Sequence, residues 1–384
     1  MAAVKPGILF VSPWLHGGGI ERVLEIKAPW FAGRGYRVEV ASWEVSERLS
    51  DRPNPVLATL AAHGIRVRPL PARTPRLHLT QRALRVAALA LARGHRILVG
   101  HETMANLVVI LARRLLGPRV RAIGELHNAI VRDRPGLDPR TLERTRRLYR
   151  RADGLVAVSE AVRGDALDFF HVPPERVTTI YTPFRPDAIR AGARAAPAVL
   201  QSLGPFVVAC GRLAPMKGFD DLIRAFARVR ARSSLTLVIL GEGPERPALR
   251  ACAERLGVAE AVHMPGFVAN PFPYFARARA FVLASRHGEA LPRVLFEAMA
   301  CGTPVIASRC RWGPEEILDH GAYGTLFDVG DVDALATAIL EVVERPDPAR
   351  RLARAAAARV EQYTVEAVLP KLESYYVGGA AAAS

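Results

Sequence analysis

Cysteine is scarce and scattered. The chain has 4 cysteines among 384 residues, Cys210, Cys252, Cys301 and Cys310, and none forms a CxxC pair. This excludes a disulfide framework and a cysteine-based zinc site, and buried thiols in a reducing compartment are expected. The 10 histidines show neither HxxxH nor HExxH spacing, so no metal and no other cofactor is expected. Long apolar runs are also lacking. Ile8–Val11 and Phe281–Ala284 are far shorter than the roughly 20 residues of a membrane-spanning helix. Met1–Pro13 reads as an opening β-strand and not as a secretory signal, which makes a cytoplasmic location the expectation. There is no internal repeat and no nucleic-acid module with interleaved basic and aromatic residues.

What is present fits a globular protein. Half of the residues are hydrophobic, and the length suits two domains better than one core. Charge is unevenly spread. Residues 1–200 carry 32 basic and 17 acidic residues, a net +15, whereas residues 201–384 carry 21 and 20, a net +1. Such asymmetry suggests an anionic partner for the first half: a membrane surface, a phosphorylated substrate or nucleic acid, the last disfavoured by the missing module. Leu79, Ala83, Val86, Ala87 and Ala90 fall at helical spacing with Arg82, Arg85 and Arg93 between them, and Arg144, Arg146, Arg147, Arg150 and Arg151 form a second basic run. The first of these predicts a basic amphipathic helix able to lie in a headgroup plane, with peripheral attachment to the cytoplasmic membrane face.

Both halves alternate short apolar runs with helical patterns. Strands are predicted at Ile8–Ser12, Tyr36–Ala41, Arg66–Leu70, Ile97–Gly100, Arg119–Gly124 and Gly154–Val158, then at Phe206–Ala209, Leu235–Gly241, Val262–Met264, Ala280–Ala284, Pro304–Ser308 and Gly324–Phe327. Strands interleaved with helices of ten or more residues imply parallel βαβ units. The stretch 184–203, rich in Pro, Ala and Gly without a strong period, reads as a linker. The expected organisation is a first α/β domain over 1–183, the linker, a second α/β domain over 204–360, and a C-terminal helix within 361–384 that crosses back to the first domain and ends in a disordered tail. Two doubly wound α/β domains facing across a cleft place ligands at the carboxyl ends of the strands.

Two segments carry the chemistry. In Cys210–Asp220, a strand ends at Gly211, and Asp220 or Asp221 is expected to cap the next helix. Arg212 and Lys217 project from the loop between them. A planar guanidinium and a compact ammonium suit a diphosphate and stabilise the charge that grows as it leaves. In Glu289–Ser308, Pro292 suits the first helical position and Gly302 the stop, so the backbone at Arg293 and Val294 forms a helix N-terminus, a natural phosphate site. Glu289 precedes the helix and Glu297 lies a turn inside it. The two can bracket an extended ligand.

These segments resemble the family 4 retaining glycosyltransferases of GT-B fold. Gly211–Phe219 resembles the family's GRL…KG segment, 289–297 its Glu-x7-Glu motif, and Gly241–Pro244 its G(D/E)GP loop. Trp312–Ile317 is similar to its GPxEI segment, Gly17–Arg22 to its GG(A/I)ER opening, and Ser159–Glu160 to its SE element. Ala290-Leu291-Pro292 replaces the commoner Gly-Phe-Gly, and Thr182 stands where the family often has Asn. The resemblance implies that Arg212 and Lys217 bind the donor diphosphate and that the backbone at Arg293 and Val294 holds the β-phosphate. Glu297 is assigned to the ribose hydroxyls and Glu289 to the transferred sugar. Gly18 and Gly19 admit the donor phosphates, Phe267 and Val268 lie against the base, and His127 faces the sugar. It implies metal-free transfer with retention, from a nucleoside diphosphate sugar (UDP by expectation) to a glycan or lipid-linked acceptor of surface polysaccharide synthesis. A nucleotide-sugar epimerase is the alternative. It would need no second substrate.

Overall fold

The computed structural model describes residues 5–16, 21–49, 52–70, 78–127, 139–195, 197–201 and 203–378. The chain divides into two compact units, Met1–Pro183 with Val365–Ser384, and Phe184–Thr364.

In the first unit the strands are β1 (Gly7–Leu15), β2 (Val38–Val45), β3 (Arg48–Leu49), β4 (Arg52–Pro53), β5 (Arg66–Pro69), β6 (His95–His101), β7 (Arg121–Leu126), β8 (Gly154–Ala157) and β9 (Val177–Thr179). Between them run helices α1 (Glu21–Gly33), α2 (Pro55–Ala62), α3 (His78–Arg93), α4 (Thr103–Leu116), α5 (Pro139–Tyr149) and α6 (Glu160–Asp168). The main sheet has the order β5-β2-β1-β6-β7-β8-β9 with every pairing parallel. β1 is buried along all but one residue, because helices cover both faces of such a sheet. The strand order reverses between β1 and β6, the switch point at which doubly wound sheets take their ligands. Ser159 caps α6 as expected, its Oγ accepting from Val162 N at 3.3 Å.

Helix α3 corrects one expectation. Leu79, Ala83, Val86, Ala87 and Ala90 are all buried, so this stripe is an ordinary core face and not a membrane face. Arg82 is likewise used internally, its guanidinium 4.4 Å from the centre of the Trp43 ring. The outer side of α3 instead exposes Leu84 and Leu91, at 53% and 71%.

The second unit contains β10 (Phe206–Cys210), β11 (Thr236–Leu240), β12 (Val262–Gly266), β13 (Phe281–Leu283), β14 (Val305–Ser308) and β15 (Thr325–Phe327). Its helices are α7 (Pro186–Ala193), α8 (Phe219–Arg230), α9 (Arg246–Arg255), α10 (Phe272–Arg277), α11 (Arg293–Ala300), α12 (Gly313–Ile317), α13 (Val332–Glu344) and α14 (Pro346–Arg359). The parallel order β12-β11-β10-β13-β14-β15 switches between β10 and β13. The residues read as a linker are therefore partly helical. Pro186 opens α7 at a position where its missing N–H costs nothing. Asn270 Nδ2 and Arg277 Nη1 then donate to the carbonyls of Gly192 and Ala193, at 2.9 and 3.2 Å.

After α14 the chain returns to the first unit as α15 (Val365–Gly378). Val368, Leu369, Leu372, Tyr375 and Tyr376 of α15 are all buried in that unit's core. Burial of each large side chain is worth roughly 1.5–3 kcal/mol, so α15 is part of the core. Gly154 makes room for it, since a Cβ there would meet Tyr375 Oη at 2.6 Å. The crossing points lie side by side in the second unit, where Phe184 N donates to Tyr363 O at 2.8 Å.

Candidate active site

Backbone packing assembles the strand ends of the second unit. Gly211 N donates to Leu240 O at 2.9 Å, Leu213 N to Glu242 O at 2.8 Å, and Gly241 N to Gly266 O at 2.8 Å. Gly241 has φ +136° and its position is closed to any Cβ, which would fall 2.0 Å from Gly211 O. Gly218 (φ +61°) is equally constrained, with Ala284 O 2.1 Å from a Cβ. The turn Pro215–Lys217 is thus pressed against the end of β13.

Arg286 ties the same two loops by charge. Its Nε donates to Asp221 Oδ2 at 2.9 Å and its Nη2 to Asp220 Oδ2 at 2.8 Å, while its backbone N bonds Met216 O at 2.8 Å. Burial pushes the Asp220 carboxyl up, but Arg286 more than offsets this and holds it below its usual range. Neither aspartate caps α8, contrary to expectation. The cap position is Gly218, and the aspartates occupy the first turn because Arg286 claims their carboxylates.

This bracing brings Lys217 onto Glu289. Lys217 Nζ donates to Glu289 Oε1, and Ser285 Oγ donates to the same oxygen at 2.6 Å. Glu289 is only 7% exposed. Its carbonyl accepts from Gly313 N at 2.7 Å, next to Trp312, which holds φ +88°. That left-handed conformation costs a non-glycine residue about 1–3 kcal/mol and persists only where its surroundings impose it. Ser285 and Arg286 were not foreseen, and Trp312 was read only as the start of the GPxEI-like segment. The readable signal was slight, a serine and an arginine just past a buried strand.

The other expected donor residues follow. Pro292 is the cap of α11 and Arg293 its first residue, one position later than read from the sequence. Arg293 and Val294 occupy N1 and N2, in the first turn of α11. The Arg293 guanidinium folds back over Phe184, 4.4 Å from the ring centre, and lies 4.0 Å from Glu297. Glu297 retains 15% side-chain exposure, so it is less enclosed than its apolar neighbours suggest. Arg212 is exposed and forms no hydrogen bond or ion pair among the described residues. Phe267 directly follows β12 and is 64% exposed, with Val268 partly buried beside it. An aromatic ring so exposed at a strand end is suited to stacking. Gly18 and Gly19 lie outside the described residues.

His127 stands in the first unit, just past β7, within a buried polar cluster. Its Nε2 is 2.9 Å from Glu125 Oε2. Lys27 Nζ, on α1, donates to both oxygens of Glu125, at 2.6 and 2.7 Å, and Tyr376 Oη donates to Oε1. The His101 ring stacks on His127, centroids 5.3 Å apart at 10°. Burial pushes the Glu125 carboxyl up, yet Lys27 overcomes this and holds it well below the carboxylate range. Burial pulls both imidazoles down, His101 to about 3. Both are therefore neutral near pH 7.

His101, Glu125 and His127 also have donor atoms within 4.8 Å of one another, a spacing that could hold a divalent cation. Lys27 argues against it. Its ammonium already bridges the carboxylate and supplies the positive charge that a metal would bring.

Two doubly wound units, one of which gathers a lysine, a buried carboxylate and a helix N-terminus at its topological switch, define a glycosyltransferase of GT-B type. Models of "Glycosyl transferases group 1" and "Glycosyltransferase Family 4" match residues 198–359 and 17–188. The chain belongs to the group 1, family 4 glycosyltransferases. It is 36% identical over 269 residues to the GDP-mannose-dependent alpha-(1-6)-phosphatidylinositol monomannoside mannosyltransferase of Mycolicibacterium smegmatis, covering 64% of this chain and 68% of that one. It is also 36% identical over 165 residues to the lipopolysaccharide core biosynthesis glycosyltransferase LpsE of Rhizobium meliloti, covering 43% of this chain and 47% of that one. Anabaena HepE, solved in complex with UDP-glucose, matches the fold with a TM-score of 0.82 at 23% identity, over 96% of this chain and 98% of that one.

Proposed function

We propose that the enzyme transfers a sugar from a nucleoside diphosphate sugar to a lipid-carried glycan or glycolipid, with retention of anomeric configuration and without a metal. The observation that carries this reading is the Lys217–Glu289 pair, braced by Arg286 beside the N-terminus of α11. Arg212, Lys217 and the α11 backbone receive the diphosphate. The leaving diphosphate helps deprotonate the acceptor on the face it vacates, through an oxocarbenium-like transition state. Glu297 takes the ribose hydroxyls, Phe267 and Val268 the base, and Glu289 and His127 the sugar. UDP is the proposed carrier, as in the HepE complex, and GDP is its competitor, as named for the mycobacterial relative. Release of UDP or GDP across a panel of nucleotide sugars, with and without a chelator, decides both points. Donor turnover that needs no acceptor would favour an epimerase.

Arg212→Ala and Lys217→Ala are each expected to weaken donor use by roughly ten- to a hundred-fold, since a charge-assisted hydrogen bond is worth about 1.5–3 kcal/mol. Glu297→Ala should chiefly lower donor affinity. Steady-state kinetics check both, and unchanged parameters in Arg212→Ala and Lys217→Ala would remove the phosphate assignment.

The acceptor side is drawn from the first unit's surface. Arg140, Arg144, Arg147 and Arg151 are exposed and recur at one-face helical spacing along and just beyond α5. With Leu79 and Leu111 they line a groove of about 670 Å³. Glu143 matches Arg147 at 2.9 Å, while Arg140, Arg144 and Arg151 form no ion pair among the described residues. By contrast, Arg146 and Arg150 bond the carbonyls of Phe169 and His171. Each arginine near an anionic surface contributes about 1 kcal/mol. Co-sedimentation with phosphatidylserine vesicles is expected to exceed that with phosphatidylcholine vesicles and to weaken with salt. It should fall in Arg140→Gln/Arg144→Gln/Arg151→Gln. Equal binding to both vesicles would leave an enzyme with a water-soluble acceptor. No helix among the described residues is long and apolar enough to cross a membrane.

A further inference from the structure

The cluster around Glu125 is built more elaborately than a lone buried ion pair requires. Asn106 on α4 holds its backbone, with Nδ2 donating to Glu125 O at 3.0 Å and Oδ1 accepting from Glu125 N at 3.2 Å. Gly100 and Gly124 leave the space for Asn106, since Cβ atoms there would meet it at 2.6 and 3.0 Å. Lys27 from the first helix and Tyr376 from the last then hold the carboxylate itself. The carboxylate points at Nε2 of a histidine standing at the carboxyl end of a central strand, the edge at which such sheets bind ligands.

We infer that Glu125 is the positioning residue of His127, locking its proton on Nε2 and leaving Nδ1 as a hydrogen-bond acceptor for a hydroxyl of the substrate. An ionised carboxylate can only accept, so the nitrogen facing it must carry the hydrogen. In a neutral imidazole the other nitrogen is then a bare lone pair. Among the described residues Nδ1 has no hydrogen-bond partner. The stacked and fully buried His101 ring packs flat against the imidazole and fixes its plane; its own Nδ1 lies 3.2 Å from Glu125 Oε2 without forming a hydrogen bond. His127 therefore discriminates by hydrogen-bond polarity. It favours a ligand that presents an O–H and disfavours one that presents only an acceptor. The part played by Nδ1 in transfer rests on the function proposed above, whereas the tautomer itself does not.

The test uses the full chain labelled with 15N-histidine. Long-range proton–nitrogen spectra near pH 7, with His127→Asn for assignment, are expected to show a pyrrole-type Nε2 and a pyridine-type Nδ1. The double variant Lys27→Met/Glu125→Gln removes both buried charges together and so avoids stranding either. A glutamine can donate as well as accept, so this variant should show mixed tautomers. Its kcat/KM should fall at least tenfold while thermal unfolding still reports a folded chain. Tyr376→Phe, a milder change, should shift the tautomer balance less. A protonated Nδ1 or a doubly protonated ring in the wild type would overturn the proposal, as would an unchanged tautomer in the double variant. The expected spectra in a chain that transfers no sugar would leave the tautomer standing and sink only the functional reading.

Discussion

Glu289→Ala is expected to lower turnover by on the order of 10²- to 10³-fold, comparable to the loss of a preorganised group facing charge in a transition state. Nucleoside diphosphate affinity should change little by comparison. The carboxylate is buried and takes hydrogen bonds from Lys217 and Ser285, and the residue's backbone carbonyl is tied to Gly313, so the side chain is already oriented for the sugar contact proposed above. Interactions made mainly in the transition state act on kcat, not on ground-state binding. Calorimetry with the diphosphate, alongside steady-state rates, separates the two quantities. Because Lys217 and Glu289 touch, their effects are not independent. The variant lacking both should lose less than the sum of the single variants, with a coupling of about 0.5–3 kcal/mol. Loss of diphosphate binding in Glu289→Ala with turnover preserved would falsify the assignment.

Lys27→Met should cost about 3–5 kcal/mol of stability, the usual penalty for removing one partner of a buried ion pair. Both partners lie in the core, at 3% and 1% side-chain exposure, where an unmatched carboxylate has no water to turn to. The pH dependence has a definite sign. The folded-state pKa of Glu125 is depressed relative to the unfolded chain. Its contribution is complete above the unfolded carboxyl pKa of about 4.3 and is lost as pH falls through and below that value. In Lys27→Met the stranded carboxylate instead gains from protonation. The stability gap between wild type and variant should therefore narrow on acidification. Urea unfolding at pH 7 and pH 5 measures it, and a gap that stayed constant or widened would show that the pair is not the source.

The sequence made the second unit's site legible because its chemistry is local. Gly211 to Phe219 is a single strand-end loop, and Glu289 and Glu297 flank the start of one helix, so spacing alone places them. The bracing was not legible, because it joins residues far apart in the chain. Arg286 meets Asp220 and Asp221 across 66 and 65 positions, and Lys27 meets Glu125 across 98. A signal for Lys27 did exist. It shares a helix face with Val23 and Phe31, a charge within an apolar stripe, and such a residue must find a partner in the core. The short helix α7 escaped because only Pro186 and Ile189 of its eight residues are buried, too few to show a period. The amphipathic reading of α3 failed for a related reason. Its apolar residues extend around most of the helix, and periodicity cannot say which side faces α4 and which faces outward.

The return of α15 sets an order on synthesis. The sheet of the first unit is fully translated by Thr179, but Leu369, Leu372, Tyr375 and Tyr376 leave the ribosome only after the whole second unit has emerged. The second unit is a contiguous stretch whose two ends meet, and it can close while translation continues. Until α15 arrives, the first unit carries an uncovered apolar surface beside Phe10 and Phe31, and Glu125 waits for its tyrosine. The nascent chain is thus most exposed to aggregation in its oldest part, and maturation of the His127 cluster waits for synthesis of α15.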